Sequence, residues 1–195
     1  MKSNLRPLLI TCLTAALIQG CAATVVGGAA VGASALHDRR STGTVIDDET
    51  IELTALKRLY ENTDLRQNTH INATSYNYVL LLTGEAPTEQ LRSQVEASLR
   101  GIEGVRRVHN EIRIAGPSSL SARSSDTLLT SRVKVELFKI RDLPGFDPTR
   151  VKVVSEAGTV FLMGLLRPSE AEAVVNTVRR VGGVQRVVKI FEYLS

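Results

Sequence analysis

The sequence predicts an α+β protein: two tandem αββαβ domains, each a three-stranded mixed sheet with two helices on one face. Three observations carry this. A block recurs without a gap, Ile71 to Gly84 against Val151 to Gly164. Upstream of each block, apolar residues recur at i, i+4 and i+8: Ile51, Ala55 and Leu59 in the first copy, Leu129, Val133 and Leu137 in the second. That spacing is one face of an amphipathic helix. Downstream of each block, Gly104-Val105-Arg106-Arg107-Val108 matches Gly183-Val184-Gln185-Arg186-Val187.

Each element follows in order. The first helix of each copy carries the stripe just given. The repeated block is a β-rich run, a polar turn, a second apolar run and a closing glycine, which is a hairpin by composition. A second helix then runs from about Thr88 to Arg100, with Leu91, Val95 and Leu99 on one face. Its counterpart runs from about Ser169 to Arg180, with Ala171, Val174 and Val178. Thr88 and Ser169 are the expected N-caps. A last strand alternates through Val108, Ile112 and Ile114, and through Val187, Phe191 and Tyr193. A unit of roughly 70 residues is near the lower size limit for a core of its own. Helices on one face of such a sheet leave the other face wet or free for a partner.

The start of the chain reads as a targeting segment. Lys2 and Arg6 precede a short apolar stretch, Pro7 to Ile18, too short to cross a bilayer, which needs roughly 20 apolar residues. Leu17-Ile18-Gln19-Gly20-Cys21 resembles the lipobox of bacterial lipoproteins. That resemblance implies cleavage before Cys21 and acylation of Cys21, with Ala22 pointing to the outer rather than the inner membrane. Cys12 is lost with the signal, so no thiol remains for a disulfide. Ala22 to Leu36 is small, apolar and glycine-rich, and reads as a tether; its Gly28-x-x-x-Gly32 spacing is common in such stretches. The expected boundaries are signal 1–20, lipidated cysteine and linker 21–43, first domain 44–115, linker 116–122 and second domain 123–195.

The helix, the paired strands ending in apolar-x-Gly, the second helix and the Gly-Val-x-x-Val together resemble the BON domain. The match is carried by Ser41 to Asp48, Val79 to Gly84, Asn110 to Arg113 and Val160 to Leu165. A lipobox ahead of two such domains resembles the dual BON-domain outer-membrane lipoproteins. The resemblance implies a monomeric protein facing the periplasm that binds anionic phospholipid of the inner leaflet through its second domain. It also implies support of outer-membrane integrity, enrichment at division sites, and association with the outer-membrane protein assembly machinery.

Charge and helix pattern bear on this independently. Residues 44–116 hold 8 Lys/Arg and 11 Asp/Glu, a net of −3, whereas residues 121–195 hold 12 and 8, a net of +4. The basic copy is the one suited to an anionic surface. On its first helix, Leu128, Arg132, Val135 and Lys139 lie about 130° from the core stripe, flanked by Lys134 and Phe138. Apolar residues set among cations suit a headgroup–acyl boundary. The corresponding positions of the first copy are Thr50, Thr54, Lys57 and Glu61, an ordinary solvated set. The alternative is that Leu128, Val135 and Phe138 pack on the first domain, and that the protein is a protein–protein adaptor. Family members carry a large aromatic near the start of this helix, where this chain has Leu128, which removes an interfacial anchor.

No enzyme is expected. His37, His70 and His109 are scattered, without metal-ligand spacing to each other or to a mature cysteine. His109 reads as a strand surface residue. Ser118, Ser119 and Ser121 sit in a linker without a base. Asp47-Asp48-Glu49 reads as acid favoured at a helix N-terminus. No phosphate-binding loop, cofactor site or nucleic-acid surface is indicated.

Overall fold

The computed structural model describes residues 38–194. The signal, Cys21 and the linker as far as His37 lie outside the described residues. The first domain runs α1 (Thr42–Glu61), α2 (Thr63–Asn68), β1 (His70–Tyr76), β2 (Val79–Ala86), α3 (Glu89–Ser98), β3 (Arg107–Asn110) and β4 (Arg113–Ile114). The second runs α4 (Leu120–Leu137), a 3₁₀ turn (Pro148–Arg150), β5 (Val151–Glu156), β6 (Thr159–Leu166), α5 (Pro168–Val178) and β7 (Arg186–Tyr193). In each sheet the hairpin strands are antiparallel, and the last strand lies parallel on the far side of the central one. The register repeats: Ile71 faces Gly84 and Val151 faces Gly164. Gly84 has φ +111°, and a Cβ there would meet the His70 carbonyl oxygen at 1.9 Å. The closing glycine of the block is therefore set by backbone clearance.

The expected helix stripes are buried. Ile51, Ala55 and Leu59 join Leu80, Leu82, Val95 and Leu99 in one core. Leu129, Val133 and Leu137 join Val160, Leu162, Val174 and Val178 in the other. Thr88 caps α3, its side chain accepting from the Leu91 amide.

Four expectations need correction. Ser169 is not a cap: Arg167 holds the N-cap position, Pro168 starts α5, and the Glu170 carboxylate accepts the Arg167 amide at 2.8 Å. Proline's fixed φ suits the first helical position, so the cap falls two residues earlier than expected. The last strand of the first domain is broken. Asn110 Oδ1 accepts the Ile112 amide at 3.2 Å, turning the chain so that Ile112 drops into the core while Val108 and Ile114 stay exposed. Asp47, Asp48 and Glu49 do not sit at a helix N-terminus, because Ser41 caps α1 and starts it at Thr42. α2 was not foreseen, and α4 begins at Leu120, inside the segment read as linker.

Asp48 instead organises the first hairpin. It is buried and accepts from the amides of Asn77 (2.6 Å) and Tyr78 (2.8 Å), from Ser75 Oγ (2.7 Å) and from Arg40 Nη1 (2.8 Å). Asn77 and Tyr78 both have positive φ, 50° and 65°, as a two-residue type I′ turn requires. Side chains disfavour that conformation, and the carboxylate offsets the cost. Asp126 on α4 repeats the device, accepting from Ala157 (3.1 Å) and Gly158 (3.4 Å), whose φ values are 47° and 73°.

The sheet faces turned away from the helices pack against each other. Tyr76, Val79 and Leu81 meet Phe161, Met163 and Ile190 in a third buried cluster. Neither face is wet. Polar contacts ring the cluster: Arg106 to Glu192 (3.0 Å), Lys152 to Glu52 (2.8 Å) and Arg186 to Glu111 (3.2 Å). The segment before α1 spans the same junction. Arg39 pairs with buried Glu170 and donates to the Leu165 carbonyl, while Arg40 holds Asp38 and Asp48 and lies 3.9 Å from the Tyr76 ring centroid. Burial opposes ionisation of Glu170, but the bonds from Arg39 and the Arg167 amide outweigh it and hold the carboxyl below its usual range.

A titratable cluster sits at this junction. Glu85 and Glu156 are both buried. Asn72 Nδ2 donates to Glu156 at 3.4 Å, the Ser118 amide donates to Glu85 at 3.3 Å, and His70 Nδ1 lies 3.5 Å from Glu85. Burial, followed by the charges of Glu85 and Asp126, pushes the Glu156 carboxyl up to about 7.

Two predictions follow from these contacts. Asp48→Ala should lower stability by about 3 kcal/mol, whereas Asp126→Ala, with fewer and longer bonds, should cost about 1 kcal/mol; urea denaturation ranks the two. The second concerns pH. An unfolded Glu156 titrates near 4.5 and the native one near 7, so the native state holds more protons between them. Its contribution to stability therefore falls as pH rises across that window. Glu156→Gln should abolish the fall and raise stability above it by about 1–3 kcal/mol. Thermal unfolding in buffers spanning the window reads this, and equal pH slopes in the two proteins would refute it.

Candidate functional site

With both sheets covered on both faces, the outer surfaces of the helices are the main surfaces left open. α4 carries apolar residues among cations. Ser119 caps it, accepting from the Ala122 amide. Its stripe Leu129, Val133 and Leu137 fills the core of the second domain, which fixes the rotation of the whole helix. Leu128, Val135 and Phe138 are then left 56, 57 and 56 % exposed. They do not pack on the first domain, because the sheets make that junction. Tyr60, at the position of Phe138 in the first copy, is exposed as well.

The six residues singled out from the sequence all lie at the surface. Leu128, Arg132, Val135 and Lys139 share one face, with Phe138 on its flank; Lys134 lies about 120° round from Leu128. Arg132 Nη1 donates to the Gly182 carbonyl at 3.4 Å, which ties it to the loop after α5. Lys139 Nζ pairs with Glu136 at 2.6 Å, so its charge is partly neutralised. The chemistry is that of a shallow amphipathic surface with guanidinium donors, suited to phosphate oxygens above and hydrocarbon below.

The structure adds residues that sequence reasoning missed. A groove of about 540 Å³ separates α4 from the end of α5, lined by Leu128, Arg132 and Val135 on one side and Thr177, Arg180 and Val181 on the other. Arg180 thus faces the same space as Arg132. The sequence signal was the Arg179-Arg180 pair, which was read only as the end of a helix. Leu120 is exposed at the start of α4 and was missed because it had been placed in the linker.

Other candidates take structural places. Ser119 is a helix cap, and the Ser118 amide serves Glu85. His70 opens β1, and His109 lies half-buried in β3. Cys21 and His37 lie outside the described residues. Among the described residues, no helix is long and apolar enough to cross a membrane. Thr50, Lys57 and Glu61 of the first copy are exposed polar residues, and Thr54 is half-buried. The first helix is not free of surface apolar residues, however: α1 exposes Ile46, Leu53, Leu56 and Tyr60 on yet another face.

The exposed α4 face makes a stability prediction. Leu128→Asp and Val135→Asp should each change the unfolding free energy by no more than about 0.5 kcal/mol, as surface substitutions do. A loss of about 2 kcal/mol or more in denaturant titration would mean that these side chains pack in the native protein.

Comparison with known proteins agrees with the repeat. A model of the BON domain matches residues 47–116 and again residues 125–194. The chain is 37% identical over 193 residues to Outer membrane lipoprotein DolP of Haemophilus influenzae, covering 99% of this chain and 98% of that protein. It is 35% identical over 158 residues to a 21 kDa hemolysin of Actinobacillus pleuropneumoniae, covering 81% and 80%. Among solved structures, the C-terminal domain of CdsD, a structural protein of the type III secretion system of Chlamydia trachomatis, is similar at 16% identity, covering 76% of this chain and 67% of that one. Its TM-score of 0.30 is too low to bear on function. Two domains in register and a full-length relative place this chain in the dual BON-domain, DolP-like family.

Proposed function

We propose that this protein is an outer-membrane lipoprotein, anchored through an acylated Cys21 and facing the periplasm, whose second BON domain binds anionic phospholipid through the outer face of α4. In this role it supports outer-membrane integrity, with enrichment at division sites. The observation that carries the reading is the exposure of Leu128, Val135 and Phe138 among cations, on a helix whose core stripe is already buried. Arg132 and Arg180 bind headgroup phosphate across the groove, and the apolar residues enter the acyl boundary. The relative's full-length identity supports the outer-membrane lipoprotein assignment.

The role proposed is binding rather than catalysis. The buried carboxylates support this, since Asp48 orders a turn, Glu170 a helix start, and Glu85 and Glu156 the domain junction. The second domain's net charge of +4 draws it to an anionic leaflet, each cation near the surface contributing about 1 kcal/mol. Without an aromatic near the helix start, insertion is shallow.

Flotation with liposomes tests this, using the mature chain with Cys21→Ser to remove the anchor. The chain should float with anionic vesicles and not with zwitterionic ones, and should lose binding at high salt, where a Debye length of about 3 Å screens the contact. Leu128→Asp and Arg132→Glu should each abolish flotation while leaving the fold intact. If the parent chain ignores both vesicle types, α4 is a protein-docking face and the adaptor reading takes its place.

A further inference from the structure

The first domain carries an apolar groove that neither its own core nor the second domain fills. α1 turns Leu53, Leu56 and Tyr60 outward, 69, 42 and 66 % exposed. Beside them a cavity of about 510 Å³ opens between α1, α2 and the start of β1, reaching buried Leu59 and Leu65. That volume lies within the roughly 300–1,000 Å³ typical of small-molecule sites. Its charged lining residues are basic: Lys57 and Arg66, with His70 at the mouth of β1. Arg66 lies over the Tyr60 ring at 4.8 Å, and Lys57 reaches only to Glu61, 3.8 Å away with both side chains solvated.

The second copy is built differently here, with no α-helix in the place of α2. There the connection from α4 to β5 carries Phe146, which packs on the core. A bilayer is a poor occupant. The basic lining is local, whereas the first domain's net charge of −3 opposes approach to an extended anionic leaflet. A single chain with one anionic end fits both features, the tail against the leucines and the head against Lys57 and Arg66.

We infer that the groove between α1 and α2 of the first domain binds a single-chain anionic amphiphile, a long-chain fatty acid. This site is separate from the α4 face and stands or falls independently of it.

The test is a fluorescence titration of the mature Cys21→Ser chain with cis-parinaric acid below its micellar concentration. Saturable binding at one site per chain is expected, displaced by dodecanoate and not by dodecanol. Leu56→Asp and Lys57→Glu should each weaken binding about tenfold, the equivalent of one lost apolar or ionic contact, with an unchanged thermal midpoint. Leu53→Arg is the second apolar variant should Leu56→Asp unfold. Leu128→Asp should leave the titration unaltered. The inference is overturned if binding does not saturate, if dodecanol competes as well as dodecanoate, or if Leu128→Asp removes the signal. A groove that ignores the fatty acid would then be a surface for a protein segment.

Discussion

The structure depends on β2 and β6 being buried on both faces. In each strand alternate residues point to opposite sides: Leu80 and Leu82 towards the helices of their own domain, Val79 and Leu81 towards the other domain. Val160 and Leu162 likewise face inward, while Phe161 and Met163 cross the junction. A domain of roughly 70 residues has little core of its own. Two of them sharing a third apolar cluster behave as one larger body, held in orientation by side-chain interdigitation and ringed by ion pairs.

This arrangement decides what the surface can do. Because the sheets are consumed by the junction, the helices supply most of the open surface. The two copies differ there. α4 places its spare apolar residues beside Arg132 and Arg180, and α1 places its own around a groove formed with α2. The chain enters the body at the seam through Arg39 and Arg40, which contact both domains.

The junction is also where electrostatics are most costly. Glu85 and Glu156 are brought into low-dielectric surroundings with few cations near, and Glu156 responds by holding its proton towards neutrality. Glu170 shows the opposite solution. It is buried but faces Arg39 and the Arg167 amide, so the negative charge is kept and used. The same residue type thus serves as a fixed acceptor in one place and a titrating group in another, according to its partners.

By itself the sequence determined the repeat, the helix stripes, the hairpins, the family and the placing of apolar and cationic residues together on α4. These are local properties: periodicities of 3.6 and 2 and turn composition act over a few residues. Tertiary structure decided what each face meets. The continuous apolar runs Val79 to Leu82 and Val160 to Met163 carried a signal of two-sided burial, but a run cannot name the partner that covers its second face. Asp48 stands three residues before Ile51, on the buried side of α1, as Asp126 stands before Leu129. Both were legible as polar residues on an apolar face, yet only the fold brings a hairpin turn over them. Arg180 and the α1–α2 groove were hidden for the same reason, since they join residues from separate elements, and separation in sequence carries no record of proximity in space.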